Sequence, residues 1–238
     1  HEHSAVQAIT RAGSGWRVGC AAGSVHARQV VVATNALTGT FWPKLRRAMV
    51  PMKVFDTATV PLSSRQRARV LRDNPAVSDM RRDLRYFHYD RDFRIVTGGT
   101  HTLWHDARAR GIDKTRAMLA RAFPALAEDM PEISEYWEGV FAVVPDRKPR
   151  MMRLAEGILF GGLYSGRGVA LSVSLGREMA RWATGQIGDE ALPLPVTSLR
   201  LVPAQPVAVC VANTMHPVSR LLDRQDERRQ ARKTTTPG

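Results

Sequence analysis

Residues Phe160-Gly161-Gly162-Leu163-Tyr164-Ser165-Gly166-Arg167-Gly168-Val169 set an apolar run, a glycine-rich turn and the start of a helix in that order. A helix that opens on glycines presents backbone N–H groups without intrahelical partners and the positive end of its dipole. Such an end stabilises a phosphate, or negative charge that develops on a ring. Glycines suit the role because a Cβ would hold the backbone off a flat ligand. The same spacing also fits a tight strand-to-helix turn that binds nothing. A serine-hydrolase elbow fits poorly, since the order is Gly162-x-x-Ser165-Gly166 and no clear Asp/His order follows.

Other reactive side chains give weaker patterns. His101 and His105 stand at helical i, i+4 spacing in His101-Thr102-Leu103-Trp104-His105-Asp106, but no third metal ligand is near, which favours a surface loop or helix. His1 and His3 read as incidental. Cys20 and Cys210 are far apart and form no CxxC pair, which argues against a zinc ribbon or disulfide framework and fits a reducing compartment. The net charge of +13 invites a nucleic-acid reading. The basic residues are mostly Arg, are dispersed among acids, and do not alternate with aromatics, so nucleic acid is not the expected partner. The dense run at residues 220–233 includes Asp223, Asp226 and Glu227 and reads as a solvated terminal helix. No run approaches the roughly 18 apolar residues of a membrane span, and no apolar leader is visible, so a cytoplasmic location is expected.

These residues need elements to position them. Residues 4–20 alternate apolar and polar around Ala12-Gly13-Ser14-Gly15 and predict a hairpin, with a second turn at Gly23-Ser24. Residues 29–34 are short, apolar and β-branched, which predicts a strand buried on both faces. Residues 49–55 and 57–60 predict strand, and residues 64–72 a short helix. Residues 86–89 and 94–97 predict a hairpin around Asp90-Arg91-Asp92 that ends at Gly98-Gly99. Asp113 is placed to cap a helix through Phe123, closed by Pro124. Residues 136–144 predict a strand. Trp137 reads as core, like Trp16, Trp42, Trp104 and Trp182, with pocket lining as the alternative. Residues 157–163 predict a buried strand and residues 169–184 a helix that ends at Gly185. Its expected apolar stripe is Val169, Val173, Ala180 and Ala183, with Gly176 allowing close approach to a strand. Pro193, Pro195, Pro203 and Pro206 predict an extended segment, and the tail beyond Thr234 is expected to lack order.

Seven features in series carry a family resemblance. They are Val30-Val31-Val32-Ala33-Thr34-Asn35-Ala36, Val50-Pro51, Tyr86-Phe87-His88, Arg94-x-x-x-Gly98-Gly99, Trp137-Glu138-Gly139, Pro145-Asp146-x-x-Pro149 and Tyr164-Ser165-Gly166-x-Gly168. Together they resemble the FAD-dependent D-amino-acid, glycine and sarcosine oxidase superfamily, most of all its bacterial gamma-glutamylputrescine oxidoreductase-like members. The resemblance runs over residues 5–200 and covers the C-terminal half of a family member. It implies an α/β (α+β) fold: the C-terminal part of a FAD-binding βαβ-type domain plus a mixed-sheet substrate domain. Residues 1–43 would be a partial FAD-binding domain, 44–149 the substrate domain, 150–200 the return to the FAD domain, and 201–238 an extended segment and tail. Asp146, Gly162, Ser165, Gly166, Arg167, Gly168, Val169 and Ala170 would meet the flavin, and Tyr86 and His88 would face the substrate. The implied reaction is oxidation of an amine or amino acid, with hydride passing to flavin N5.

Departures from the pattern qualify this. Thr100 stands where relatives often have Arg, Arg167 where they often have His, and Ala170 where sarcosine oxidases carry an oxygen-activating Lys. Gly139 stands where some members attach flavin through Cys, so the resemblance implies FAD that is non-covalent at Gly139. The family's G-x-G-x-x-G turn, which holds the ADP half, has no counterpart; Gly13-Ser14-Gly15 lies in a hairpin. The expected chain is therefore a piece lacking the N-terminal half of the FAD domain, its needed partner, and it alone is expected to hold FAD weakly or not at all. A non-catalytic remnant of such an enzyme is the alternative, and a basic nucleic-acid-binding protein the third reading.

Overall fold

The computed structural model describes residues 1–82, 85–100 and 107–234. In chain order, β1 (Val6–Ala12), β2 (Gly15–Cys20) and β3 (Gly23–Ala27) form an antiparallel sheet. β4 (Val30–Val32), α1 (Pro43–Arg46) and the long strand β5 (Val50–Thr59) follow. Next come α2 (Ser64–Arg67), β6 (Val77–Ser78), β7 (Tyr86–Tyr89), β8 (Ile95–Thr100) and α3 (Ala107–Ala122). β9 (Ile133–Val143), β10 (Arg150–Ala155), β11 (Ile158–Gly162), α4 (Gly168–Ala183), β12 (Val196–Ser198) and α5 (Gln205–Thr234) complete the series. Helices and strands intermix, which is the expected α/β class. The chain forms two compact units, one of His1–Pro51 and Val140–Val209 and the other of 52–139 and 210–238.

The first unit is built on a sheet of order β12-β10-β11-β4. β10 and β11 are an antiparallel hairpin, and β4 and β12 run parallel to β11 and β10 respectively. The two-residue period of a strand divides β11 between two cores. Ile158 and Phe160 join Val32, Leu45, Ala142 and Met152 on one face. Leu159 joins Met151, Leu175, Met179 and Trp182 on the other, where α4 packs. β11 is buried throughout, as the apolar run predicts. β4 differs from expectation. It is three residues long at the sheet edge, and Val30 and Val31 are only half-buried, because β11 is its one sheet neighbour among the described residues.

α4 turns a different face inward from the one its sequence suggests. Val169 and Val173 are 98% and 80% exposed, and the buried stripe is Leu175, Met179 and Trp182. These larger side chains recur at 3–4 residue spacing and bury more area than valine and alanine do. Gly176 does not mediate close approach, for no atom lies within 4 Å of its Cβ position. The strand supplies that approach instead: a Cβ on Gly161 would stand 2.8 Å from Met179 Cε. The helix ends as expected at Gly185, whose φ is +73°. Its N–H bonds to Trp182 O, and Gln186 N–H to Arg181 O, which is the paired Schellman closure.

The second unit is a five-stranded sheet of order β6-β7-β8-β5-β9. Phe87, Tyr89 and Ile95 point to one face and pack with Leu119, Leu126 and Ile133. Thr57 and Thr115 bond hydroxyl to hydroxyl at 3.1 Å beneath α3, and the Thr115 hydroxyl also reaches Gly111 O at 3.0 Å. Ser63 and Gln66 form a capping box on α2. The 90–92 turn forms as predicted, with Asp90 Oδ1 accepting from Asp92 and Arg94 N–H.

Several boundaries move. The Gly23-Ser24 turn is part of β3, which pairs with β2, and the turn falls at residues 21–22. Gly98 and Gly99 continue β8 rather than end it, since both lie opposite β5 in register. α3 covers Ala107–Ala122 among the described residues, so Asp113 is inside the helix and not its cap. The prolines near residue 205 open a helix rather than an extended segment: α5 runs to Thr234. Its acids are docked rather than solvated. Asp223 is buried and accepts from Arg82 at 3.2 Å, Asp226 accepts from Arg82 at 2.7 Å, and Glu227 pairs with Arg81. Residues 235–238 lie outside the described residues.

Candidate functional site

β11 delivers the glycine turn to its place. Leu163 and Ser165 both adopt left-handed backbone, at φ of 59° and 51°, and Gly166 follows at 91°. Three anchors hold these conformations. Leu163 N–H donates to Asn35 Oδ1 at 2.9 Å, Ser165 N–H to Ala142 O at 3.2 Å, and Val144 N–H to Ser165 Oγ at 3.3 Å. A Cβ on Gly162 would stand 2.9 Å from Phe160 Cζ, so the strand end needs glycine for packing. Gly166 needs it for its φ, with open space where a side chain would be.

α4 then starts without a side-chain cap at Arg167. Leu171 N–H is the first to bond inside the helix, to Arg167 O. Gly168, Val169 and Ala170 thus present the N–H groups that a helix leaves without intrahelical partners. Val169 and Ala170 are exposed. The arrangement is a solvent-facing helix N-terminus behind an open glycine turn, which fits a planar group carrying negative charge at one edge.

Asp146 lies on the turn between β9 and β10. Its carboxylate accepts from the Arg150 guanidinium at 2.6 Å, which holds its pKa below the ordinary carboxylate value. Arg167 donates to Arg147 O on the same turn. The structure therefore brings Asp146 and the glycine turn together, and it gives Arg167 an exposed position tied to a backbone carbonyl.

Tyr86 and His88 belong to the second unit and share the face of β7 opposite to buried Phe87 and Tyr89. The Tyr86 hydroxyl donates to Asp56 Oδ1 on β5. Burial first, and then Asp56, push Tyr86 ionisation above the ordinary phenol range, so it remains a protonated donor. Gly98, on the strand between, makes room: a Cβ there would stand 2.6 Å from the Tyr86 hydroxyl and collide with Asp56 Oδ1 and Phe55 O. Trp137 is 45% exposed rather than core.

Asp56 and the bracing role of Asn35 escape sequence reasoning. A carboxylate inside the otherwise β-forming run of residues 54–60 was the available signal for Asp56. His101, Trp104 and His105 lie outside the described residues. Among the described residues no cluster of three metal-ligating side chains occurs, and no helix is long and apolar enough to cross a membrane.

With this geometry in view, the class is settled by comparison. Residues 1–182 match the family described as FAD dependent oxidoreductase (DAO), and the chain belongs to that family. It is 27% identical over 164 residues to "Probable oxidoreductase OrdL" of Rhizobium meliloti (strain 1021), covering 69% of this chain and 37% of that protein. It is 29% identical over 171 residues to gamma-glutamylputrescine oxidoreductase of Escherichia coli (strain K12), covering 69% of this chain and 38% of that protein. The chain thus spans under two-fifths of the length of these relatives. Among solved structures, glycine oxidase from Geobacillus kaustophilus superposes with a TM-score of 0.63 at 17% identity, over 79% of this chain and 50% of that one. L-proline dehydrogenase from P. horikoshii gives 0.62 at 21% identity, over 81% and 52%. These structural likenesses establish the shared fold.

Proposed function

We propose that this chain is part of a flavoenzyme that oxidises the carbon beside nitrogen in a small amine or amino acid. The observation that carries the reading is the uncapped, exposed N-terminus of α4 behind the open turn at Gly166, in a member of a FAD-dependent family. FAD, when bound, would supply the acceptor for a hydride at N5. The N–H groups of Gly168, Val169 and Ala170 would hold the pyrimidine edge and favour negative charge there. Gly162, Ser165 and Gly166 shape the approach, while Arg150 holds Asp146 and Arg147 O holds Arg167 in the adjoining turn. Gly139 has no side chain to attach FAD, so no covalent bond would form at that position. Tyr86 and His88 would bind and orient the substrate, Tyr86 as a donor. The 238 residues carry no G-x-G-x-x-G turn, so the adenine end of FAD needs residues other than these. Both described cysteines are free, which agrees with work in the cytoplasm.

The test is an anaerobic titration of the flavin-loaded protein, made from its whole reading frame, with a panel of small amines and amino acids. The proposal expects at least one to bleach the oxidised-flavin band. A loaded protein that stays yellow with every amine tested, yet is bleached by dithionite, would refute it.

A further inference from the structure

Two stretches of the first unit carry positive charge and no acid. Residues 3–55 contain seven Lys or Arg and no Asp or Glu, and residues 191–222 contain no Asp or Glu either. The stretches meet in an open cleft of about 380 Å³, whose lining includes Ala36 and Thr40 after β4, Arg46 and Arg47 at the end of α1, and Gln205 at the start of α5. None of the lining residues is acidic. The size lies within the range of about 300–1,000 Å³ that small ligands occupy.

The backbone around the cleft is fixed. Arg46 and Arg47 sit between Leu45 and Ala48, both buried. Val202 N–H donates to Arg47 O at 2.8 Å, and Gln205 Nε2 to Met49 O at 3.1 Å. Thr38 Oγ1 donates to Asn35 O at 2.8 Å, and Asn35 Oδ1 in turn braces Leu163 at the glycine turn. The cleft thus opens at the carboxyl end of the parallel pair β4 and β11, the side on which α/β sheets take their ligands. Both guanidiniums are exposed. Asp146, Glu156, Glu178 and Asp189 of the same unit pair with Arg150, Arg11, Arg181 and Arg153 instead. Arg46, Arg47 and the Thr40 hydroxyl have no side-chain partner among the described residues.

We propose that this cleft binds a phosphate group, with Arg46 and Arg47 as paired guanidinium donors and Thr40 as a hydroxyl donor. It does not depend on the amine-oxidising reading. A guanidinium presents a fork of donors that matches phosphate oxygens. One fork satisfies the two oxygens of a carboxylate, whereas two forks and a hydroxyl suit the larger oxygen set of a phosphate. No carboxylate in the cleft competes for these donors, and the acid-free flanks raise the local concentration of anions. A phosphorylated small molecule and the diphosphate of FAD offer the same oxygens.

The 238-residue chain is titrated with inorganic diphosphate by calorimetry at about 0.15 M salt, which screens general attraction to a basic protein. The expected result is saturable one-site binding that the double variant Arg46→Gln, Arg47→Gln weakens roughly tenfold or more. The control Arg69→Gln, Arg72→Gln removes the same charge from exposed positions of the second unit and should leave binding within about twofold. Arg46→Lys, Arg47→Lys keeps the charge but loses the forks and should fall between. Succinate should bind at least roughly tenfold more weakly than diphosphate. In the protein made from its whole reading frame, excess FAD that displaces diphosphate makes the cofactor the source of the phosphate; a site that FAD leaves occupied belongs to a free phosphorylated ligand. No saturable binding, unchanged binding in the Arg46 and Arg47 double variant, an equal loss in the control, or equal affinity for succinate would overturn the proposal.

Discussion

Replacing Gly98 with alanine tests the close packing of Tyr86, Gly98 and Asp56 across three strands. The new methyl group would meet the Phe55 carbonyl, the Asp56 carboxylate and the Tyr86 hydroxyl. The Phe55 carbonyl is backbone of β5 and moves only if the β5–β8 ladder opens. Relief therefore comes from breaking the Tyr86–Asp56 bond, from parting the strands, or from both. Overpacking costs about 1–3 kcal/mol and loss of a hydrogen bond to a charged acceptor about 1.5–3 kcal/mol. A net loss of about 3 kcal/mol follows, or a fall in Tm of roughly 6–12 °C at about 2–4 °C per kcal/mol. Gly176→Ala is the matched control. It lies inside α4 with open space at its Cβ position, so it should raise stability by about 0.5–1 kcal/mol. Scanning calorimetry of both variants beside the parent makes the comparison. If Gly98→Ala melts with the parent, or if the two glycines respond alike, the close packing argued for these three residues is wrong.

Further outcomes follow from the first unit. Gly185→Ala forces a Cβ into left-handed backbone at the end of α4 and should cost about 1–2 kcal/mol in chemical denaturation. Asp189 is held below the ordinary carboxylate range, chiefly by hydrogen bonding from Arg153 and further by Trp182 Nε1 at 2.9 Å. A depressed carboxylate stabilises the fold above its unfolded pKa of about 3.9, and that contribution is lost as pH falls through the lower folded value. Asp189→Asn should therefore lower Tm at neutral pH and narrow the gap to the parent below about pH 4. The isolated chain should purify colourless, and a yellow preparation with stoichiometric flavin would contradict the expectation that the adenine end needs further residues.

The sequence made the local pieces legible because short-range rules govern them. The 90–92 hairpin, β11, the Gly185 stop and the glycine turn are each written in a few neighbouring residues. Faces were harder. In α4, periodicity pointed to a stripe of Val169, Val173, Ala180 and Ala183, and the tertiary partners Met151 and Leu159 bury Leu175, Met179 and Trp182 instead. Gly98 and Gly99 looked like a stop because glycine weakens strands. Their purpose lies across the sheet, where Gly98 admits the Tyr86–Asp56 bond and Gly99 sits close against Lys114. α5 was hidden by its prolines, and its docking rests on residues 79–82, some 140 positions away. Asp56 had no motif to mark it; its partner is Tyr86 on β7, 30 positions away.

The central proposal is that the α4 N-terminus serves amine oxidation by FAD. Anaerobic mixing of the flavin-loaded protein, made from its whole reading frame, with a panel of small amines and amino acids tests it most directly, with the oxidised-flavin band followed. The account predicts that the band bleaches with at least one of them. A protein whose flavin stays oxidised with every one of them, while dithionite reduces it, would contradict the account.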